Sequence, residues 1–114
     1  MQHGPDDLAS FVMSVLEEKR AENIVWLDVS GVTDLARYFI IATVTNLRQM
    51  AAIADACEKE RKVRGFPRIG IEGASTGSSW VVLDYADVIV HLFLPEQRDY
   101  YALEHLWADA KRMN

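Results

Sequence analysis

The spacing of apolar positions changes several times along this chain, and each change marks an element. Leu8, Phe11, Val12, Val15 and Leu16 recur at helical spacing. Pro5, Asp6 and Asp7 precede them, a rigid first turn with acids at the positive end of the helix dipole. This spacing predicts a helix ending near Glu22-Asn23. Residues 24–29 (IVWLDV) are β-branched and short, and predict a strand. Ser30-Gly31-Val32-Thr33-Asp34 is loop chemistry. Residues 38–44 (YFIIATV) are nearly all apolar, as a strand covered on both faces requires. Asn46 and Gln49 then have the form of a capping box, with Asn in place of Ser or Thr. Leu47, Met50, Ala51, Ile53, Ala54 and Cys57 form the inner face of a long helix. Its tail holds Lys59, Arg61, Lys62 and Arg64, which suit the negative end of the dipole. Gly65 suits a left-handed C-cap, and Pro67 follows it.

Residues 68–72 (RIGIE) predict a third strand, and residues 73–79 (GASTGSS) a loop. Two β-branched runs, 80–83 and 88–94, then enclose the polar turn Asp84-Tyr85-Ala86-Asp87, the pattern of a hairpin. Pro95 cannot continue a ladder and suits the first turn of a helix. Beyond it Tyr100, Leu103, Leu106, Trp107 and Ala110 share a helical stripe. The predicted order is α-β-β-α-β-β-β-α. It makes an α/β (α+β) domain across residues 1–114, with helices packed on a single mixed five-stranded sheet. Residues 1–5 are set aside as a start that need not fold, apart from the helix-start chemistry of Pro5.

Composition narrows the function classes. The chain has 114 residues, half of them apolar, which fits one domain with a modest core. A net charge of −5 argues against binding nucleic acid by phosphate neutralisation. Cys57 is the only cysteine, so no internal disulfide and no cysteine-built zinc site can form. There is no run of about 18 apolar residues that would cross a membrane. The start MQHGPDD lacks the regions of a signal peptide, so a cytoplasmic location is expected, with a mature organellar protein the alternative. Charge is unevenly placed. Between residues 69 and 107 stand six acids and a single base, Arg98, together with Trp80, Tyr85, Tyr100 and Tyr101. Aromatics among acids suit a surface that docks on a basic partner.

Several residues invite chemical readings. The loop 73–79 lacks the Lys and the following helix of a phosphate-binding P-loop. Asp84 and Asp87 could hold a metal, but turns also favour Asp because its side chain bonds nearby backbone N–H groups. His91 lies in an apolar strand and His105 on the last helix, neither with a second ligand at metal-binding spacing. A packed, hydrogen-bonded histidine is expected. Cys57 reads as a core thiol. The basic run 59–68 reads as solvated charge, with RNA contact as the rival. Trp26 and Phe39 are expected in the core. If Trp80 and Tyr85 are exposed, they make a pair of the kind that binding hot spots use.

Four segments together resemble the ribosomal silencing factor family (RsfS, or Iojap). They are Asp28-Val29-Ser30-Gly31 with Asp34; residues 38–43 with Thr45 and Arg48; Glu72-Gly73 leading to Trp80; and residues 83–91 with Pro95-Glu96, Arg98, Tyr101, Leu103-Glu104 and Leu106-Trp107. The similarity runs over roughly residues 8–107. It implies a non-catalytic translational repressor with no cofactor and no metal. Such a factor binds the large ribosomal subunit through ribosomal protein L-fourteen and sterically blocks joining of the small subunit. It also implies a nucleotidyltransferase-like fold. Asp28 is followed by Val29 and Ser30, so the Asp-x-Asp pair of active nucleotidyltransferases is missing. The docking surface carried over from the family is Trp80, Leu83, Asp84 and Tyr85, with Asp87 beside them. Ala86 stands where the family usually has Gly. A homodimer in isolation is expected from the resemblance and from an open sheet edge. The rival functions are a small nucleotidyltransferase-fold enzyme with a metal–nucleotide site and an RNA-binding assembly factor.

Overall fold

A computed structural model describes residues 4–73, 79–96 and 109–114. Its elements are α1 (Pro5–Glu18), β1 (Glu22–Asp28), β2 (Tyr38–Thr43), α2 (Leu47–Arg64), β3 (Gly70–Glu72), β4 (Trp80–Asp84), β5 (Val88–Phe93) and β6 (Lys111–Arg112). The sheet is six-stranded, in the order β3-β4-β5-β2-β1-β6. The expected five strands become six because the two-residue β6 pairs with Leu27 and Asp28 of β1. Nothing in the apolar pattern marks so short a strand. Pro95 and Glu96 are helical, and residues 97–108 of the predicted last helix lie outside the described residues; Ala110, expected on its stripe, is in a bend and packs against the second core cluster.

α1 begins at Pro5, as its helix-start chemistry predicts, with Gly4 as its N-cap. It ends at Glu18, four residues earlier than predicted. Arg20 then turns with φ 63°, and the Ala21 N–H donates back to the Leu16 carbonyl at 2.9 Å. Asn46 caps α2 as expected, its side chain accepting from the Gln49 N–H at 2.8 Å. The reciprocal bond lands one residue earlier, since Gln49 Oε1 accepts from the Thr45 N–H at 2.7 Å. Gln49 Nε2 also donates to the carbonyls of Lys19 and Arg20, at 2.9 and 3.1 Å, and so ties the two helices together. Gly65 ends α2 with φ 81°.

β2 and β5 run parallel, with Ile40 opposite Val90, and every residue of β2 is buried, as its unbroken apolar run predicts. The other pairings are antiparallel. Alternation assigns the side chains. Tyr38, Ile40, Ala42, Val81, Leu83, Val88, Val90 and Leu92 point to the helix side and pack with α1 and α2. Val25, Leu27, Phe39, Ile41 and Phe93 form a second cluster on the opposite face, with Trp80, Ile89 and Ala110 packed against it. Trp26 belongs to the helix side and is half-buried, set edge-on to Tyr38 at 5.3 Å. No helix among the described residues is long and apolar enough to cross a membrane.

Candidate functional site

The predicted hairpin exists. β4 and β5 pair antiparallel, with Trp80 opposite Phe93 and Asp84 opposite Ile89. The turn between them is strongly held. The Tyr85 N–H donates to the Val88 carbonyl at 3.0 Å, and the Asp84 carboxylate accepts from the Ala86 N–H at 2.9 Å. That bond is the local role that turns give Asp. Ala86 has φ 68°, the left-handed region that favours glycine. Ala86 therefore holds a conformation that glycine adopts freely, with strain on its Cβ.

The strand's period of two divides the expected docking residues. Trp80, Val82 and Asp84 lie on the sheet face away from the helices, and all three are half-buried. Leu83 points the other way and is 0% exposed. Tyr85 is 1% exposed, its ring in the helix-side core. No exposed Trp–Tyr pair exists at this hairpin. Asp87 is exposed at the turn, and so is Glu72 on the neighbouring strand, opposite Val82. The side chains brought together on the outer face are thus Glu72, Trp80, Val82 and Asp84, with Asp87 at the tip.

Trp80 is anchored at one end. Its ring stacks on Phe93 at 5.0 Å, and its indole N–H donates to His91 Nδ1 at 3.3 Å. Burial lowers the His91 pKa to about 4, so the ring is neutral at ordinary pH and can accept that bond. The neutral imidazole then carries its proton on Nε2, which is buried and has no hydrogen-bond partner among the described residues. His91 is the packed, hydrogen-bonded residue expected. Cys57 is fully buried as well, and burial pushes its thiol up to about 12.

Tyr85 has a polar anchor that the sequence reading missed. Its hydroxyl donates to Glu58 Oε2 at 2.7 Å. Burial, and then this bond, hold its pKa well above the usual phenol value. Glu58 also receives Arg68 at 2.8 Å and Arg61 at 3.3 Å. The available signal was spacing. Glu58 and Arg61 continue the inner stripe of Met50, Ala54 and Cys57 around α2. The basic run is therefore not simply solvated. Arg61 and Arg68 pair with Glu58, and Arg64 pairs with Glu60 at 3.1 Å.

A cleft of about 550 Å³ opens beside the turn, lined by Ser30, Asp34, Leu35, Arg37, Ala86 and Asp87 among others. Leu35 in this cleft is 69% exposed. Asp28 lies outside it and is occupied locally, its carboxylate accepting from the Ser30 N–H at 3.0 Å and hydroxyl at 2.6 Å. Those bonds hold its carboxyl below its ordinary pKa.

Residues 2–114 match the family model described as "Ribosomal silencing factor during starvation". The chain belongs to the ribosomal silencing factor family. A silencing factor RsfS of Haemophilus influenzae is 39% identical over 101 residues, covering 89% of this chain and 98% of the relative. A crystal structure of a Chromobacterium violaceum protein superposes with TM-score 0.88 at 35% identity, covering 93% of this chain and 88% of that one. The mouse protein named for mitochondrial assembly of the ribosomal large subunit is 32% identical, covering 94% of this chain and 50% of its own length. Membership in the silencing factor family implies ribosome-associated regulation of translation.

Proposed function

We propose that this protein represses translation by binding the large ribosomal subunit through ribosomal protein L-fourteen, sterically blocking the small subunit. It acts in the cytoplasm and makes or breaks no bond. The observation that carries this reading is the outer face of the hairpin. Trp80 and Val82 offer apolar surface there, with the acids Asp84, Glu72 and Asp87 around them. An anchored, half-open indole is the kind of rigid aromatic that supplies affinity, and surrounding acids steer a Lys- and Arg-bearing partner. The name of the mouse relative, which specifies the large subunit, supports the same choice of partner. Free in solution, the protein is read as a homodimer, with light scattering as the check.

Trp80→Ala is a poor test, because the ring also packs on Phe93 and would cost stability. Charge reversal at exposed acids is cleaner. The test is a pull-down against washed large subunits, with and without L-fourteen. Wild type is expected to bind only when L-fourteen is present, and the Glu72→Arg, Asp87→Arg double variant to lose binding while staying folded. Binding that survives the removal of L-fourteen would refute the choice of partner. Retention by the folded double variant would refute the surface.

A further inference from the structure

Tyr85 belongs to the docking set implied by the family resemblance, yet its ring is sealed on the helix side of the sheet. The outer partner surface and this side chain lie on opposite faces, so Tyr85 cannot act by contact. What it does instead can be read from how the acidic turn is held. Three backbone bonds fix the turn within the sheet. The Ile69 N–H donates to the Asp84 carbonyl at 2.8 Å, and the Arg37 and Tyr38 N–H groups donate to the Asp87 carbonyl at 2.9 and 3.0 Å. Such bonds lie close to the plane of the sheet and resist sideways slip. They leave tilt of the turn out of that plane weakly restrained.

The bond from the Tyr85 hydroxyl to Glu58, at 2.7 Å, runs out of the plane, from the turn to α2. Glu58 is itself fixed. Its side chain is 19% exposed, and Arg68 and Arg61 hold it at 2.8 and 3.3 Å. Arg61 in turn donates to the Phe66 carbonyl at 3.4 Å, beyond the C-cap of α2. The carboxylate thus joins the end of α2, the segment leading to β3, and the hairpin turn.

We propose that Tyr85 and Glu58 are positioning residues that set the tilt of the Asp84–Asp87 turn, and hence the aim of its acids at the partner, without touching that partner. This rests on the docking reading above. Charge-assisted hydrogen bonds are stronger than neutral ones, and a buried donor left unpaired carries a penalty of its own. Deleting this one should therefore loosen the turn without dissolving the core.

The experiment measures affinity for washed large subunits, alongside melting temperature and amide exchange. Tyr85→Phe keeps the ring and removes the hydroxyl. It is expected to bind roughly tenfold more weakly, the scale set by one charged hydrogen bond. Its Ala86 and Asp87 amides should exchange faster, while those of β2 stay protected. Glu58→Leu removes the acceptor and should match it. Glu58→Gln keeps an acceptor and should restore most of the affinity, a rescue that a purely electrostatic role for Glu58 would not give. If Glu58→Leu fails to fold, Tyr85→Phe decides alone. Tyr85→Phe that melts earlier but binds like wild type marks a structural role only, and overturns the proposal. Asp87→Arg serves as the control. If it binds normally the docking reading falls, and the positioning role with it; if it loses binding while Tyr85→Phe does not, only the positioning role falls.

Discussion

The two faces of the β4–β5 hairpin are built from the same residues in alternation, yet they do opposite work. On the helix face Val81, Leu83, Val88, Val90 and Leu92 are all 2% exposed or less, packed against α1 and α2. On the other face Trp80, Val82, Asp84 and Ile89 are only half-buried. A single strand thus carries a core and a surface one residue out of step. The lesson is that membership of one short motif does not make residues partners in one role. In β4 parity decides: even positions are left half-buried on the outer face, while odd positions hold the domain together.

The sharpest way to break this comparison is to truncate neighbours. Leu83→Ala should cost about 3 kcal/mol, the usual range for a sealed core leucine. Val82→Ala, one residue away, should cost about 1 kcal/mol or less, since its side chain is partly solvated in the folded state already. Urea denaturation of the two variants measures the difference. Equal losses would mean that parity does not separate the faces.

His91 gives the next largest effect. It sits on the outer face, opposite Val82, but is 8% exposed, so that face has a sealed strip beneath its open rim. Burial lowers its pKa from 6.5 to about 4. A base whose folded pKa is lowered binds fewer protons when folded than when unfolded. Stability should therefore be complete above pH 6.5 and fall as the pH drops towards 4, by about 3 kcal/mol at 1.36 kcal/mol per unit. Protonation also removes the acceptor for the Trp80 indole N–H. Denaturation from pH 7 to 4 should show this slope in wild type and a flatter one in His91→Phe. Identical slopes would show that His91 does not titrate in this window.

These two predictions also show what the sequence made legible. The unbroken run of β2, the capped and glycine-stopped α2, and the hairpin were readable because local chemistry and tertiary packing agree there. β6 was not, because two exposed residues carry no period, and their pairing depends on β1 alone. The candidate surface was half readable. Acids and aromatics pointed to this hairpin, but the expected surface included Leu83, which alternation puts on the core side, and Tyr85. The period of two was in the sequence for Leu83. Tyr85 was harder, because it lies past the strand end. Its buried polar partner is 27 positions away, a distance that no local pattern spans.

The smallest effect concerns the turn that joins the two faces. Ala86 has φ 68°, a region where an L side chain is strained by its Cβ and glycine is not. The strain is held by the Asp84 carboxylate on the Ala86 N–H and by the Tyr85 N–H on the Val88 carbonyl. Ala86→Gly should relieve it. The gain is reduced because glycine has more freedom to lose on folding, leaving roughly 0.5–1 kcal/mol of added stability. Because the backbone already has the shape glycine would choose, the turn should not move, and binding to large subunits should stay within about twofold, since one kcal/mol of strain relieved in both states cancels. Thermal melts and the subunit pull-down, run side by side, separate the two statements. A more stable variant with unchanged binding means that the turn's aim is set by its anchors and not by Ala86. A stable variant that binds several-fold better would instead show that the methyl group itself tilts the tip, and that the outer face is less rigid than its inner counterpart.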